Sequence, residues 1–212
     1  MVGSVLAPAL PEIANRVGMD TYPSLLITLP ALGVIVSAPF VGRLIDKFGG
    51  KSILLIGLVF YGSLGIIGAW INVVNIMILD RFLLGVATAF IMASGTSLIA
   101  EHYQGENRLK MVAHQGMAIE VGGIIFLSIS GILASMFWKL PFALYLLAWI
   151  YIVPAMMFIP KRGQPKNVSS SNETLTKFRG EWGIFMVATI SMLIFFAAFI
   201  TLPHVLLSLI HI

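Results

Sequence analysis

Residues 42–51 read Gly42-Arg43-Leu44-Ile45-Asp46-Lys47-Phe48-Gly49-Gly50-Lys51, a short charged stretch between the apolar runs Tyr22–Leu44 and Ser52–Ile71. Its pattern is G-x-x-x-D-K-x-G-x-K. An ordinary basic loop would explain the charges but not the spacing of the glycines around Asp46. Gly49 and Gly50 permit the positive φ angles that a tight reversal requires. The stretch therefore predicts a compact charged turn between two membrane-spanning helices.

The charges of this turn have two physical uses. Asp46 is placed to cap helix amide groups or to meet the positive end of a neighbouring helix dipole. Arg43, Lys47 and Lys51 are suited to contact anionic lipid headgroups. The second use requires that the turn lies at a membrane surface.

The composition is that of an integral membrane protein. The 212 residues are 58% hydrophobic and 10% charged, with a mean hydropathy of +0.98. A soluble domain carries about 25% charged residues, so this chain has too few to cover a surface in water. The formal charge of +4 does not indicate a nucleic-acid partner, because the basic residues lie between apolar runs. The absence of cysteine excludes disulfides and thiolate metal sites, and we expect no cofactor.

Six segments approach the roughly 20 residues that a helix needs to cross a bilayer. They are Tyr22–Leu44, Ser52–Ile71, Val74–Ala100, Met111–Phe137, Leu140–Ile159 and Trp182–Leu207. A further segment, Val2–Ile13, is too short to cross. We expect it to be the outer end of a truncated first helix, so that the chain is a fragment, although a true start at Met1 with a re-entrant helix is the alternative.

The basic residues predict the orientation. With the 42–51 turn inside, ten lysine and arginine residues lie on the cytoplasmic side and two, Arg16 and Lys139, lie outside. Cytoplasmic connections carry such an excess of positive charge. We therefore expect a multi-pass protein of the cell membrane in which 42–51 and 160–181 are cytoplasmic. The 160–181 connection is rich in Pro, Gly and Ser, which is typical of a flexible linker.

The charged turn closely resembles the connection between the second and third helices of the major facilitator superfamily of transporters. The resemblance implies an all-α membrane protein: a six-helix N-terminal half over 1–159, a linker over 160–181, and the start of a seventh helix over 182–212. It also implies a conformational-switch role for Gly42, Arg43, Asp46, Lys47, Gly49 and Lys51. In the superfamily the Asp contacts a helix of the second half, so the missing C-terminal half is an expected partner.

Two further segments resemble the same family. Asp80 and Arg81 lie about 10 Å inside the span Val74–Ala100 at ~1.5 Å per residue, and Arg81-x-x-x-Gly85 resembles the fourth-helix segment linked to proton coupling. Arg81, Gly85, Ala89, Ala93 and Ser97 follow at steps of four, which indicates a ridge of small residues for helix packing. Packing alone, with Arg81 paired structurally, is the alternative.

Glu120 lies about 15 Å from Lys110 along the next span, near the bilayer midplane. Ionisable residues at that depth are functional by default, so Glu120 is a candidate proton carrier. A structural carboxyl, neutralised by Arg81 or kept protonated, is the alternative. The packing glycines Gly122, Gly123 and Gly131 follow on this helix, where antiporters of the superfamily carry Gly-x-x-x-Gly-Pro-x-x-Gly-Gly. Phe126-Leu127 replace Gly-Pro here, so the antiporter signature is degraded.

The resemblance extends to bacterial efflux permeases for drugs or sugars. It implies a secondary carrier that binds a small organic solute, exchanges it against protons and works by alternating access. The alternatives are a non-transporting truncated half and a membrane assembly scaffold. A membrane enzyme is disfavoured, because the sequence contains neither Gly-x-Ser-x-Gly nor His-Glu-x-x-His. We predict no catalytic residue and no metal site.

Overall fold

The computed structural model describes residues 5–18, 24–159, 186, 190 and 191. The chain forms two compact units, Met1–Arg162 and Gly163–Ile212, and the helices named α1 to α7 all belong to the first. The described part is all-α, with no β-strand, as predicted. The predicted span Trp182–Leu207 and the predicted linker 160–181 lie outside the continuously described residues.

The described part of the first unit contains, in chain order, the α-helices α1 (Leu10–Val17), α2 (Leu25–Phe48), α3 (Gly50–Ile67), α4 (Val74–His102), α5 (Gly105–Met136), α6 (Leu147–Ile150) and α7 (Ile152–Phe158). Short 3-10 turns precede α1 at Ala7–Ala9, follow α3 at Gly68–Trp70 and precede α6 at Leu140–Leu146. Within the described residues, five helical segments have the length and hydropathy of membrane spans, the last being Leu140–Phe158.

The predicted turn at 42–51 is shorter than the sequence indicated. Helix α2 continues through the charged residues to Phe48, and the reversal occurs at Gly49 alone, with φ 83° and ψ 149°. A side chain at that φ would be strained, so glycine is required. Gly50 already belongs to α3. Charged residues end an apolar run without ending a helix, since Arg and Lys favour helices and reach water beyond the lipid.

The fifth predicted span, Leu140–Ile159, is interrupted rather than continuous. Its first third is 3-10 helix, and the chain breaks again at Tyr151 between α6 and α7. Pro154 has no N–H to bond the carbonyl four residues earlier, which favours a break at this point.

Helices α2 and α4 cross in direct backbone contact. A Cβ atom added at Gly85 would lie 2.0 Å from the Pro30 carbonyl oxygen, and one added at Gly33 would lie 2.2 Å from the Phe82 carbonyl oxygen. Close approach of this kind is how membrane helices gain packing energy, because lipid supplies no hydrophobic drive between them. The largest buried cluster lies at the end of the bundle that carries α1, and includes Leu26, Leu84 and Tyr145.

Candidate functional site

Hydrogen bonds from the Lys51 side chain connect the start of α3 to the end of α7. Its ammonium donates a 2.9 Å hydrogen bond to the Met156 carbonyl oxygen and another to that of Ile159. The last carbonyls of a helix have no partner inside the helix, and a cation there also complements the helix dipole. Sequence reasoning assigned Lys51 to lipid headgroups and missed this contact, because the partners lie more than 100 residues away.

Asp46 lies exposed on the last turns of α2 and makes no hydrogen bond or ion pair with a described residue. It lines a groove of about 570 Å³ between the ends of α2 and α4, called here the Asp46 groove. Arg108, near the start of α5, lines the same groove. The other lining residues are Ala38, Gly42, Ile45, Met92, Ala93, Thr96, Ser97 and Ala100. Most are small, which is typical of surfaces against which membrane helices pack closely.

The remaining charges of the switch stretch face outward. Arg43 and Lys47 are exposed, and Lys47 Nζ lies 5.3 Å from the centre of the Phe48 ring. A Cβ atom at Gly42 would meet no atom of a neighbouring described segment within 4 Å. The structure therefore leaves Gly42, Arg43 and Lys47 available to lipid or to a partner.

Arg81 and Asp80 form a buried ion pair. The Arg81 guanidinium is fully buried, and its Nη2 and Nε atoms lie 2.7 and 3.0 Å from Asp80 Oδ2. The partner of Arg81 is thus Asp80. The alternative in which Arg81 neutralises Glu120 is not what the described structure contains. Both residues belong to α4, so the pair neutralises charge inside the packed helices and does not itself link two of them.

Three neighbours enclose the guanidinium of Arg81. Phe142 lies 5.6 Å from it in a cation–π arrangement, and a Cβ atom at Gly68 would lie 1.9 Å from Nη2. The Tyr145 ring, also buried, packs against Phe142. Arg81 Nη1 and Asp80 Oδ1 have no hydrogen-bond partner within the described part of the chain. The space left by Gly68 was not identified from the sequence, although a glycine at the end of a span was the available signal.

Glu120 lies at the middle of α5, 15 residues after its first residue and 16 before its last. Its side chain is exposed and has no hydrogen bond or ion pair with the described residues. Helix α5 is the least covered of the five spans, with Ser130 as its one buried residue among those described. Lipid is a poor surrounding for a carboxyl group, so this face requires water or a polar partner.

The small residues of α4 and α5 differ in their surroundings. Gly85 meets the α2 backbone, and Ala89 and Ala93 pack with Val41 and Ile45 of α2. In contrast, a Cβ atom at Gly123 or Gly131 would meet no atom within 4 Å, and Gly122 is half-buried. A packing role for these three glycines stays a prediction.

The family model described as Major Facilitator Superfamily matches residues 1–211, which is almost the entire chain. The chain belongs to the Major Facilitator Superfamily. This match confirms the resemblance drawn from the 42–51 stretch, and the described helices agree with an all-α membrane half of that superfamily.

Several bacterial proteins are similar to the chain. Multidrug resistance protein 1 of Bacillus subtilis is 28% identical over 173 residues, covering 81% of this chain and 44% of the relative. Multidrug resistance protein 2 of the same organism is 31% identical over 117 residues, covering 55% and 29%. Quinolone resistance protein NorA of Staphylococcus aureus is 28% identical over 200 residues, covering 91% and 50%. The chain spans about half the length of these curated relatives.

Proposed function

We propose that this chain forms part of a secondary active carrier of the cell membrane that exports small organic molecules, including drug-like ones, in exchange for protons. The observation that carries the proposal is the family match combined with relatives named for multidrug and quinolone resistance. Members of the superfamily bind substrate between two halves that rock against each other. The basic residues of the 42–51 and 160–181 connections support a cytoplasmic position for both in this proposal.

The Asp46 groove supports an alternating-access mechanism. An unpaired carboxylate at the rim of a groove lined by small residues favours the positive end of an approaching helix. In our proposal, the other half of the carrier supplies that helix in one state of the transport cycle and withdraws it in the other. Asp46 then acts as a latch, while the bond from Lys51 to α7 holds the rest of this end together.

Glu120 supports proton coupling. It is the unpaired carboxyl group at the middle of α5, on a helix that the other described helices leave largely uncovered. A carboxyl group at that depth is stable when it is neutral or faces a water-filled cavity, so it can take up a proton from one side and release it to the other. Arg81 and Asp80 are already paired with each other, so we assign them a structural role and not that of the proton carrier.

Ethidium accumulation tests the carrier. Cells that express the complete reading frame containing this chain should accumulate less ethidium than control cells, and a protonophore should remove the difference. Equal accumulation in the two cultures would refute export and would favour a non-transporting half or scaffold.

Glu120→Gln tests the coupling site. We expect the variant to lose the dependence of ethidium efflux on the pH gradient, because the amide cannot carry a proton. Glu106→Gln is the matched control, since Glu106 is exposed at the start of α5 and pairs with Lys110. If Glu120→Gln keeps the pH profile of the unmodified protein, Glu120 is not the proton carrier.

A further inference from the structure

Two cations and two tryptophans meet at the end of the bundle opposite the Asp46 groove. The Arg16 guanidinium lies 4.8 Å from the centre of the Trp138 ring, and Lys139 Nζ lies 5.0 Å from the same residue's ring. Lys139 Nζ also lies 5.9 Å from the Trp70 ring. We call Glu12, Arg16, Trp70, Trp138 and Lys139 the Trp138 cluster. It joins α1, the end of α3 and the connection after α5.

The Trp138 cluster has an excess of positive charge. Arg16 Nε donates a 2.8 Å hydrogen bond to Glu12 Oε1, so one cation is matched by one carboxylate. Lys139 has no acidic partner among the described residues, and its ammonium contacts aromatic rings only. Both side chains of the Arg16–Glu12 pair remain about half exposed, at 51% and 53%. The cluster therefore presents one unmatched cation and a second one that an anion can approach.

A groove of about 490 Å³, lined mainly by apolar residues, opens beside the Trp138 cluster. Its apolar lining is Pro8, Ala9, Gly131, Ala134, Met136, Phe137 and Trp138, and its polar lining is Glu12, Arg16 and Ser135. The groove runs along the end of α5, where Met136 is 73% exposed and Phe137 is 52% exposed. Cationic groups at the end of a spanning helix lie at the depth of lipid phosphates, and an apolar groove next to them lies at the depth of acyl chains.

We propose that the Trp138 cluster and its groove bind one anionic phospholipid, with the phosphate at Lys139 and Arg16 and an acyl chain along α5. Charge complementarity favours this occupant, because an anionic headgroup offsets the unmatched cation. A free phosphate ion would leave the apolar groove unfilled. An aromatic belt without a specific site would hold zwitterionic and anionic lipids equally well.

Quenching of tryptophan fluorescence by brominated lipids tests the site. The chain is purified in detergent micelles with Trp149 and Trp182 replaced by Phe, so that Trp70 and Trp138 report, and its helix content is checked by circular dichroism. Dibromo-phosphatidylglycerol and dibromo-phosphatidylcholine are titrated separately. We expect the anionic lipid to quench at several-fold lower mole fraction than the zwitterionic one.

Variants assign the preference to residues. Lys139→Gln should lower the preference about fivefold, the usual contribution of one cation near an anionic lipid surface, and Lys139→Arg should retain it. Glu12→Gln should increase the preference, because it frees Arg16 for the phosphate; a merely structural role would predict a loss. Lys110→Gln is the control, since Lys110 lies at the other end of α5 and pairs with Glu106.

Three results would overturn the proposal. The first is equal quenching by the two lipids, which would indicate an unspecific aromatic belt. The second is a preference that Lys139→Gln leaves unchanged or that Glu12→Gln lowers. The third is displacement of phosphatidylglycerol by millimolar inorganic phosphate, which would identify a site for a free anion.

Discussion

Replacing Gly85 by alanine is expected to separate α2 from α4. The added Cβ atom would lie 2.0 Å from the Pro30 carbonyl oxygen and 2.8 Å from Pro30 Cα. Both obstacles are backbone atoms, so no change of rotamer relieves the contact. The two helices must instead move apart by more than 1 Å along their crossing, which is far more than a close-packed interface tolerates without loss.

The magnitude follows from two opposing effects. Overpacking a close-packed interior typically costs about 1–3 kcal/mol, and contact with backbone places Gly85→Ala at the severe end. Alanine is a better helix former than glycine by about 1 kcal/mol, which partly offsets the cost. We therefore expect a net loss of about 2 kcal/mol in the free energy of unfolding.

Gly123→Ala is the matched control for this substitution. A Cβ atom at Gly123 would meet no described atom within 4 Å, so the variant should be unchanged or more stable by up to about 1 kcal/mol. Thermal unfolding in detergent, followed by intrinsic tryptophan fluorescence, compares the two variants. Equal stabilities for Gly85→Ala and Gly123→Ala would refute the conclusion that the crossing of α2 and α4 has no room for a side chain at position 85.

A double-variant cycle adds a sharper test of the same crossing. Gly33→Ala also meets backbone, at 2.2 Å from the Phe82 carbonyl oxygen and 3.1 Å from Gly85 Cα. If α2 and α4 move apart once, the space that opens accommodates the alanine methyl groups at both positions. The cost of Gly33→Ala together with Gly85→Ala should therefore be clearly smaller than the sum of the single costs. Additive costs would mean that the two glycines act independently.

Two further predictions concern the charged residues. Lys51→Met should lower the free energy of unfolding by about 1.5–3 kcal/mol, because it removes the charge-assisted hydrogen bonds to the end of α7. Lys47→Met, a control at an exposed site, should have little effect. Similar melting temperatures for the two variants would refute the role of Lys51. Asp80→Asn should cost about 3–5 kcal/mol by leaving Arg81 buried and uncompensated, and adding Arg81→Met should recover part of that loss. No recovery in the double variant, measured by the same thermal unfolding, would contradict this account of the pair.

The sequence predicted the existence and the approximate limits of the described spans because membrane helices depend on length and hydropathy, both of which are local properties. It did not predict where each helix ends. At the charged stretch the apolar run stops at Leu44, but the helix continues to Phe48. The end of a helix is set by a backbone requirement, here the positive φ of Gly49, rather than by the loss of hydrophobicity.

The pairing of Arg81 was the least accessible feature of the candidate site. Neighbouring residues on a helix do not face each other, so Asp80 is a weak candidate for the partner of Arg81 when spacing alone is considered. The pair forms because Arg81 has a long side chain and because Gly68, on another segment, leaves room for its guanidinium. A contact that depends on empty space elsewhere in the chain leaves no local sequence pattern.

The buried Arg81–Asp80 pair and the exposed Glu120 carboxyl group therefore differ in the free energy that a change of their charge would cost. Arg81 and Asp80 neutralise each other inside the packed helices, and moving either one away would leave the other as an uncompensated buried charge, at a cost of several kcal/mol. Such a pair resists change during a transport cycle. Glu120 has no such constraint in the described structure, because no partner holds it and no packed side chain covers it. A proton carrier must alternate between its protonated and deprotonated states at low free-energy cost. By that criterion Glu120 is a better candidate than the Arg81–Asp80 pair.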